Sequence, residues 1–436
     1  MSQVYFLRDK AMLGLIVLFL CFTNILSGQE NLMVDKKIEK EVVKLLKDKS
    51  IKNAFEYIES IEVETNKNLI ELTQIAAPPF LEAERALALK KMFVDAGADN
   101  VSIDEVGNVI AIKKGIEGGK VIVLDAHLDT VFPEGTNVMV QQKGDTLFAP
   151  GIGDDTRGLS MLLAIFKAMK NSNIKTKADI WFVATVGEEG LGDLRGVKHL
   201  FRDDAPKIDS WISIDGGEIG RVNNAGLGSV RYKALFMGKG GHSWGAFGLA
   251  NPHHAIGYAI KEFTENAKKY TDEGPKTSFN IGRIGGGTSV NSIPFESWME
   301  VDMRSVDSNR LIKMDRIFKE SMQIALEEYN NSGVEDQITM ELIKIGDRPS
   351  GELALDTPLV QRAISATMLF GYDPSLTRGS TNSNIPISIG IPAVTIGRGG
   401  IGGGAHSLNE WWLNKNGVEA IKLALLLTVA EAGYDK

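Results

Sequence analysis

The order of apolar patterns along this chain predicts an α/β fold with a smaller α+β unit inserted into it. Three observations carry this. Strand-like runs alternate with helical patterns up to Ile214, the texture turns strand-rich with two long helices beyond Gly226, and the alternation resumes after Ile338. Short apolar runs separated by segments of 3.6-residue period are what parallel strands joined by crossover helices look like in a sequence.

Helices come first. From Lys36 to Ile75 the apolar residues recur at helical spacing (Ile38, Val42, Val43, Leu46, then Leu69, Leu72, Ile75) until Ala77-Pro78-Pro79 stops the pattern. Glu82 to Ala96 reads as a further helix ended by Gly97, and Val109-Ile110-Ala111-Ile112 as a strand. The run Val121-Ile122-Val123-Leu124 is apolar on both faces, as a central strand must be. A helix over Leu159 to Met169, a strand over Ile180 to Thr185, a helix over Val197 to Phe201 and a strand over Trp211 to Ile214 complete the first alternation. The inserted unit is expected to hold strands at Val230 to Phe236, Ser278 to Ile284 and Ser297 to Arg304, with helices at Pro252 to Lys269 and Asn309 to Tyr329. After it come a strand at Met340 to Ile345, a helix at Pro358 to Phe370, and strands around Ile387 and Val394.

Composition bounds the function. The chain has 436 residues, 43% hydrophobic and 24% charged, which fits a folded water-soluble protein and excludes bulk disorder. With 48 Lys+Arg against 56 Asp+Glu and no basic block, a nucleic-acid partner is not expected, because neutralising phosphates needs clustered cations. The run Ala11 to Leu26 follows Arg8 and Lys10 and precedes Ser27 and Gly28, the layout of an export signal over residues 1–29. The protein is therefore expected to be periplasmic or secreted, with no stable membrane span once processed. Cys21 lies in that run and is the only cysteine, so catalytic Cys and thiolate ligation of a metal are excluded from the processed chain.

The chemistry-bearing residues stand at the ends of the predicted strands. The strand Val121 to Leu124 runs into Asp125-Ala126-His127-Leu128-Asp129, where alternation sends His127 and Asp129 to one side. The C-terminal edge of a parallel strand is where open α/β sheets bind ligands. Asp154-Asp155 sits in a glycine-rich turn opening a helix, Glu188-Glu189 follows the strand Ile180 to Thr185, Asp215 follows Trp211 to Ile214, and His406 sits in a glycine-rich loop. Each has an ordinary reading alone, the Asp154-Asp155 turn as a helix N-cap and Glu188-Glu189 as a solvated loop among them. Pooled, His127, Asp154, Glu189, Asp215 and His406 offer two imidazoles and three carboxylates, a ligand set suited to Zn²⁺, with Co²⁺ or Mn²⁺ as substitutes. A carboxylate that bridges implies two metals.

In this order the motifs His127-Leu128-Asp129, Asp154-Asp155, Glu188-Glu189, Asp215-Gly216-Gly217 and His406 resemble the co-catalytic dizinc hydrolase family of peptidase T, aminoacylase, carboxypeptidase G and succinyl-diaminopimelate desuccinylase, with the peptidase T branch nearest in texture. The resemblance implies a catalytic domain with a mixed sheet flanked by helices (residues 30–226 and 339–436) and an inserted lid and dimerisation domain (227–338). It implies two Zn²⁺ per subunit, one on His127 and Asp215, the other on Glu189 and His406, bridged by Asp154 across a cis Asp154-Asp155 peptide. Asp129 would orient His127, and Glu188 would be the general base. Gly240-Gly241-His242-Ser243 matches the family's Gly-His-Ser motif, so His242 would reach a neighbouring subunit's active site in a homodimer, and Asn291 and Arg304 match substrate-side positions.

The implied activity is exopeptidase hydrolysis of small peptides. N-acyl amino acid deacylase or carboxypeptidase action is the alternative within the family, and a metal-dependent binding protein without turnover the alternative outside it. One departure stands out: relatives commonly carry Asp where this chain has Asn382, which would remove a charge near the substrate. His199, His253 and His254 match no motif and read as solvated or capping residues, and Trp411 and Trp412 as packing.

Overall fold

The computed structural model describes residues 34–435, so the expected export signal and Cys21 lie outside the described residues. Among those described, no helix is long and apolar enough to cross a membrane.

A nine-stranded mixed sheet forms the centre of the larger part. Its order is Val101–Ile103, Val109–Lys113, Asp179–Thr185, Val121–His127, Ser210–Ile214, Ala393–Ile396, Arg221–Gly226 and Gly351–Glu352, with Ser375–Gly379 also paired to Arg221–Gly226. The four strands from Asp179–Thr185 to Ala393–Ile396 run parallel to one another, so their C-terminal ends share one edge. They are buried on both faces, which is why the stretch Val121 to Leu124 is apolar throughout and does not alternate. Helix Thr156–Asn171 is buried along nearly its whole length, and most of Gly417–Ala432 is buried; both pack into the main core. Helix Lys36–Leu46 turns only Val42 and Leu45 fully inward and is capped by Asp35, whose side chain accepts from the N–H groups of Lys37 and Ile38.

The smaller part has its own core. Four antiparallel strands in the order Thr277–Gly286, Glu296–Ser305, Gly228–Met237, Thr339–Arg348 carry helices Pro252–Thr271 and Ser308–Asn330, and between them Phe236, Phe263, Met299, Met303, Phe318 and Met322 are buried. Alternate residues of Glu296–Ser305 are buried, the period-two pattern of a sheet with one covered face.

Two expectations are corrected. Strand Thr339–Arg348, assigned by the sequence to the second catalytic segment, pairs with Gly228–Met237 from Met237↔Thr339 to Ser229↔Arg348 and so belongs to the smaller sheet. It alternates like its partner and would satisfy either sheet; only its tertiary pairing decides. The segment around Ile387 is a short helix, Asn384–Ser388, because it follows a turn in which Asn384 Oδ1 accepts the Thr381 N–H and Ser383 packs its hydroxyl against Thr395.

Candidate metal centre

The shared C-terminal edge of the parallel strands gathers the candidate residues. His127 ends its strand, Glu188 and Glu189 follow Asp179–Thr185, Asp215 follows Ser210–Ile214, and Arg398 follows Ala393–Ile396. Asp154 stands before helix Thr156–Asn171, in a turn whose Asp154–Asp155 peptide is cis. Asp154, Glu188, Glu189, Asp215 and His406 line one cleft of about 370 Å³.

Asp154 lies between two imidazoles. Its Oδ1 is 3.2 Å from His127 Nε2 and its Oδ2 is 3.3 Å from His406 Nε2, which is also 2.9 Å from Glu189 Oε1. Ligand atoms of His127, Asp154 and Glu189 all lie within 4.8 Å of one another. The donor set fits divalent metal, since imidazole and carboxylate groups converge with one carboxylate placed to serve two ions. Electrostatics agrees. Burial acts to lower His127, but Asp154 and the charges of Asp155 and Asp129 outweigh it and hold the ring well above its ordinary value. Hydrogen bonds to Asp154, then Glu189, push His406 up to about 10. An excess of negative charge keeps protons on both rings, and dications displace such protons when they bind. Asp215 faces the same charge: burial, then Asp154, raises its carboxyl.

Asp129 does more than the sequence suggested. His127 Nδ1 is 2.9 Å from the Asp129 backbone carbonyl, while the Asp129 carboxylate lies farther off, at 3.7 Å. That carboxylate instead accepts the N–H groups of Glu188 (2.9 Å) and Glu189 (2.7 Å), fixing the acidic loop from the neighbouring strand. Glu188 is buried, with Oε1 3.1 Å from Arg348 Nη1. Burial raises its carboxyl to about 8 against the opposing charge of Arg348, with Glu189 adding to the rise.

Several residues around the site were not singled out in the sequence. Glu410 is buried and accepts from Gly151 N–H (2.7 Å), Gly153 N–H (2.9 Å) and Asp154 N–H (2.9 Å), bracing the turn that carries Asp154. A Cβ on Gly153 would lie 3.0 Å from Glu410 Oε1 and 3.1 Å from Arg398 Nη2, tighter than an ordinary contact, so a larger residue there would press on both side chains. Arg398 Nη1 is 3.7 Å from Asp154 Oδ1. Glu410 stands four residues after His406 in the chain, which was a signal; Arg348 and Arg398 had none.

Asn382 is corrected. It is buried and is not among the residues lining the cleft, and its Nδ2 donates to Asp125 Oδ2 and Thr185 Oγ1, both at 2.7 Å. Asp125 also takes a short hydrogen bond from Ser213, and burial raises its carboxyl to about 7. An amide donor there satisfies a buried carboxyl that a second carboxylate would repel.

Of the substrate-side candidates, Arg304 lines the cleft, whereas His242 and Asn291 stand apart from it. They neighbour each other, with the Ser243 N–H donating to Asn291 O at 3.0 Å, on an exposed surface that also presents Trp244 (86% exposed) and Phe247 (85%). His199 pairs with Glu105 at 2.9 Å and His253 Nδ1 with Ser297 Oγ at 2.7 Å, away from the cleft. Trp412 is buried against the Arg157 guanidinium.

The family model described as peptidase family M20/M25/M40 matches residues 123–428. The uncharacterized protein YqjE of Bacillus subtilis (strain 168) is 27% identical over 355 residues, 76% of this chain and 89% of that protein. Among solved structures, aminopeptidase PepT from Bacillus cereus is 25% identical with a TM-score of 0.63, covering 84% of this chain and 97% of its own. The di-peptidase Dug1p from Saccharomyces cerevisiae shares the fold with a TM-score of 0.69 at 17% identity, covering 87% and 98%.

Proposed function

The chain belongs to peptidase family M20/M25/M40 and is a hydrolytic enzyme of that family, and from this premise we propose that it is an exported zinc-dependent exopeptidase acting on small peptides, with Glu188 as general base. One observation carries the reading: Glu188 opens on the cleft beside the His127, Asp154 and Glu189 group without being part of it. Binding alone needs no such extra carboxylate.

His127, Asp154, Glu189, Asp215 and His406 would hold two ions, Zn²⁺ by the choice of donors. Bound there, they would supply Lewis acidity toward the amide carbonyl and toward a water. Glu188 takes the proton of the attacking water and returns it to the departing amine. Arg348 holds the Glu188 carboxylate from the side of the smaller sheet, and Asp129 holds its backbone, so the base has little freedom to swing away. PepT is an aminopeptidase and Dug1p a di-peptidase, which supports a small-peptide substrate. An N-acyl amino acid deacylase or carboxypeptidase would use the same centre.

His242 and Asn291 enter this reading through a homodimer in which the exposed surface around His242, Trp244 and Phe247 meets a second copy and the ring stabilises an oxyanion there. Export rests on the sequence of residues 1–29 alone.

The test compares Glu188→Gln with Glu189→Gln on a panel of dipeptides, tripeptides and acyl amino acids. Glu188→Gln should keep its metal and lose about 10²–10⁴-fold in turnover, the usual worth of a positioned base. Glu189→Gln should lose metal, and added zinc should partly restore it. Parental turnover by Glu188→Gln with metal intact rejects the mechanism.

A further inference from the structure

The outer surface of the first two described helices is dense in lysine. On helix Lys36–Leu46, Lys36, Lys40 and Lys44 recur every fourth residue and so form one stripe, with Lys37 beside it, while Val42 and Leu45 are buried on the opposite side. Lys47 follows in the turn, and Lys49 and Lys52 open helix Lys49–Ser60, whose Ile51 and Ala54 are buried. All seven lysines are exposed, and among the described residues none of their amines pairs with a carboxylate. Lys268 and Lys319, on other helices, are instead matched on their own helix, by Asp272 at 2.8 Å and Asp315 at 2.7 Å. The stretch Asp35 to Lys52 holds seven lysines against four acids, in a chain whose net charge is −8.

Three of the four acids are engaged by the fold. Asp35 Oδ1 accepts from the N–H groups of Lys37 (2.6 Å) and Ile38 (3.2 Å), and Asp48 Oδ1 from the Ser50 N–H (2.9 Å) and the Tyr434 hydroxyl (2.8 Å). Glu41 Oε1 meets Arg362 Nε at 3.1 Å. Lys36 and Lys37 sit in the first turn of one helix, and Lys49 and Lys52 in the first turn of the other, which has no acid there. Cations at that end oppose the helix dipole, so helix stability alone would not place them there. The first helix is fastened beneath the stripe: the Asp35 N–H donates to Gln361 Oε1 at 2.7 Å and Arg362 holds Glu41, both from helix Pro358–Leu369. The lysines are thus presented on a fixed face.

We propose that this lysine face is a docking surface for an anionic phospholipid membrane, on which the folded protein lies without spanning it. A lysine-rich helix face is attracted to acidic headgroups, each lysine near the surface strengthening binding about fivefold. Charges are screened beyond about 10 Å at 0.1 M salt, so a flat bilayer meeting this face senses the lysines and not the acidic remainder of the molecule. A nucleic-acid duplex is the poorer match, because guanidinium forks suit its phosphates and the stretch Asp35 to Ser60 holds no arginine. In the sequence the face closely follows the export signal expected over residues 1–29, so an exported chain would carry it at the membrane it has crossed. No lysine of the face lines the cleft, so docking and hydrolysis stand or fail separately.

The experiment is co-sedimentation of the chain from residue 30 onward, which keeps both hydrophobic cores whole, with vesicles of phosphatidylcholine alone or mixed with phosphatidylglycerol. The parent should bind the phosphatidylglycerol vesicles, release them as salt is raised, and fail to bind phosphatidylcholine alone. Lys36→Gln, Lys40→Gln and Lys44→Gln together should weaken that binding by about 100-fold, and Lys40→Glu alone by about tenfold or more. Lys261→Gln, Lys269→Gln and Lys276→Gln together remove as much charge from exposed positions of the smaller part and should bind like the parent. Equal binding to both kinds of vesicle, no binding to either, or a stripe variant that binds like the parent overturns the proposal. Preference for a DNA duplex over the phosphatidylglycerol vesicles in competition also overturns it, in favour of a nucleic-acid partner.

Discussion

Arg348 places Nη1 3.1 Å from Oε1 of Glu188, so the last strand of the smaller sheet grips the acidic loop of the larger one at the residue read as the base. Both side chains are about 5% exposed. Removing one member of a buried ion pair leaves the other uncompensated, at a typical cost of about 3–5 kcal/mol. Arg348→Met should therefore lower the unfolding free energy measured by urea denaturation by an amount in that range, and the midpoint with it. An unchanged midpoint would show that the contact contributes nothing net.

Asp129→Asn tests the hold on the acidic loop. The carboxylate accepts two N–H groups, Glu188 and Glu189, and asparagine keeps only one accepting oxygen, turning an NH₂ toward the other donor. Loosening a residue that orients ligands commonly weakens metal affinity by about 10–100-fold. Competition with a chelator should show that loss; parental affinity would exclude the role.

Asn382→Asp should be destabilising in a pH-dependent way. It replaces the amide that donates to Asp125 Oδ2 with a second buried carboxyl, beside one already raised to about 7 by burial. A carboxyl raised in the folded state binds a proton that the unfolded chain releases at about pH 3.9, so its stability is whole below that value and declines as pH rises toward 7. The gap between variant and parent in chemical denaturation should be small near pH 4 and widest near pH 7. A gap that narrows with rising pH would contradict this.

Removing metal should lower the melting temperature. Without a cation, Asp154, Glu189 and Asp215 share one cleft, and a ligand that binds only the folded state stabilises by about 2.7 kcal/mol at a hundred times its Kd. Chelation should lower the melting temperature and zinc should restore it, whereas His127→Ala should respond far less. A melting temperature indifferent to chelator and zinc would count against the centre.

The sequence by itself determined the parts that local pattern encodes. The apolar runs Val121 to Leu124, Ile180 to Thr185 and Trp211 to Ile214 marked three strands that the fold buries on both faces, and an acid or imidazole beyond each marked the edge where they meet. His127, Asp154, Glu189 and His406 converge there as their order along the chain implied. A strand's period and its terminating turn are set by neighbours in sequence, so they can be read from neighbours in sequence.

Only the tertiary structure decided which groups meet across the fold. Glu410 reaches the N–H groups of the turn at Asp154, and Arg348 reaches Glu188, from segments far along the chain. Strand Thr339–Arg348 alternates in a way that suits either sheet, and its pairing with Gly228–Met237 places Arg348 at the site. Asn382 looks like a lost charge in the sequence, yet in the fold it is the donor that satisfies Asp125. The physical reason is common to all four. A side chain's partner depends on where packing leaves the backbone and on which buried polar groups still need a donor or acceptor, and neither is carried by the residues next to it in the chain.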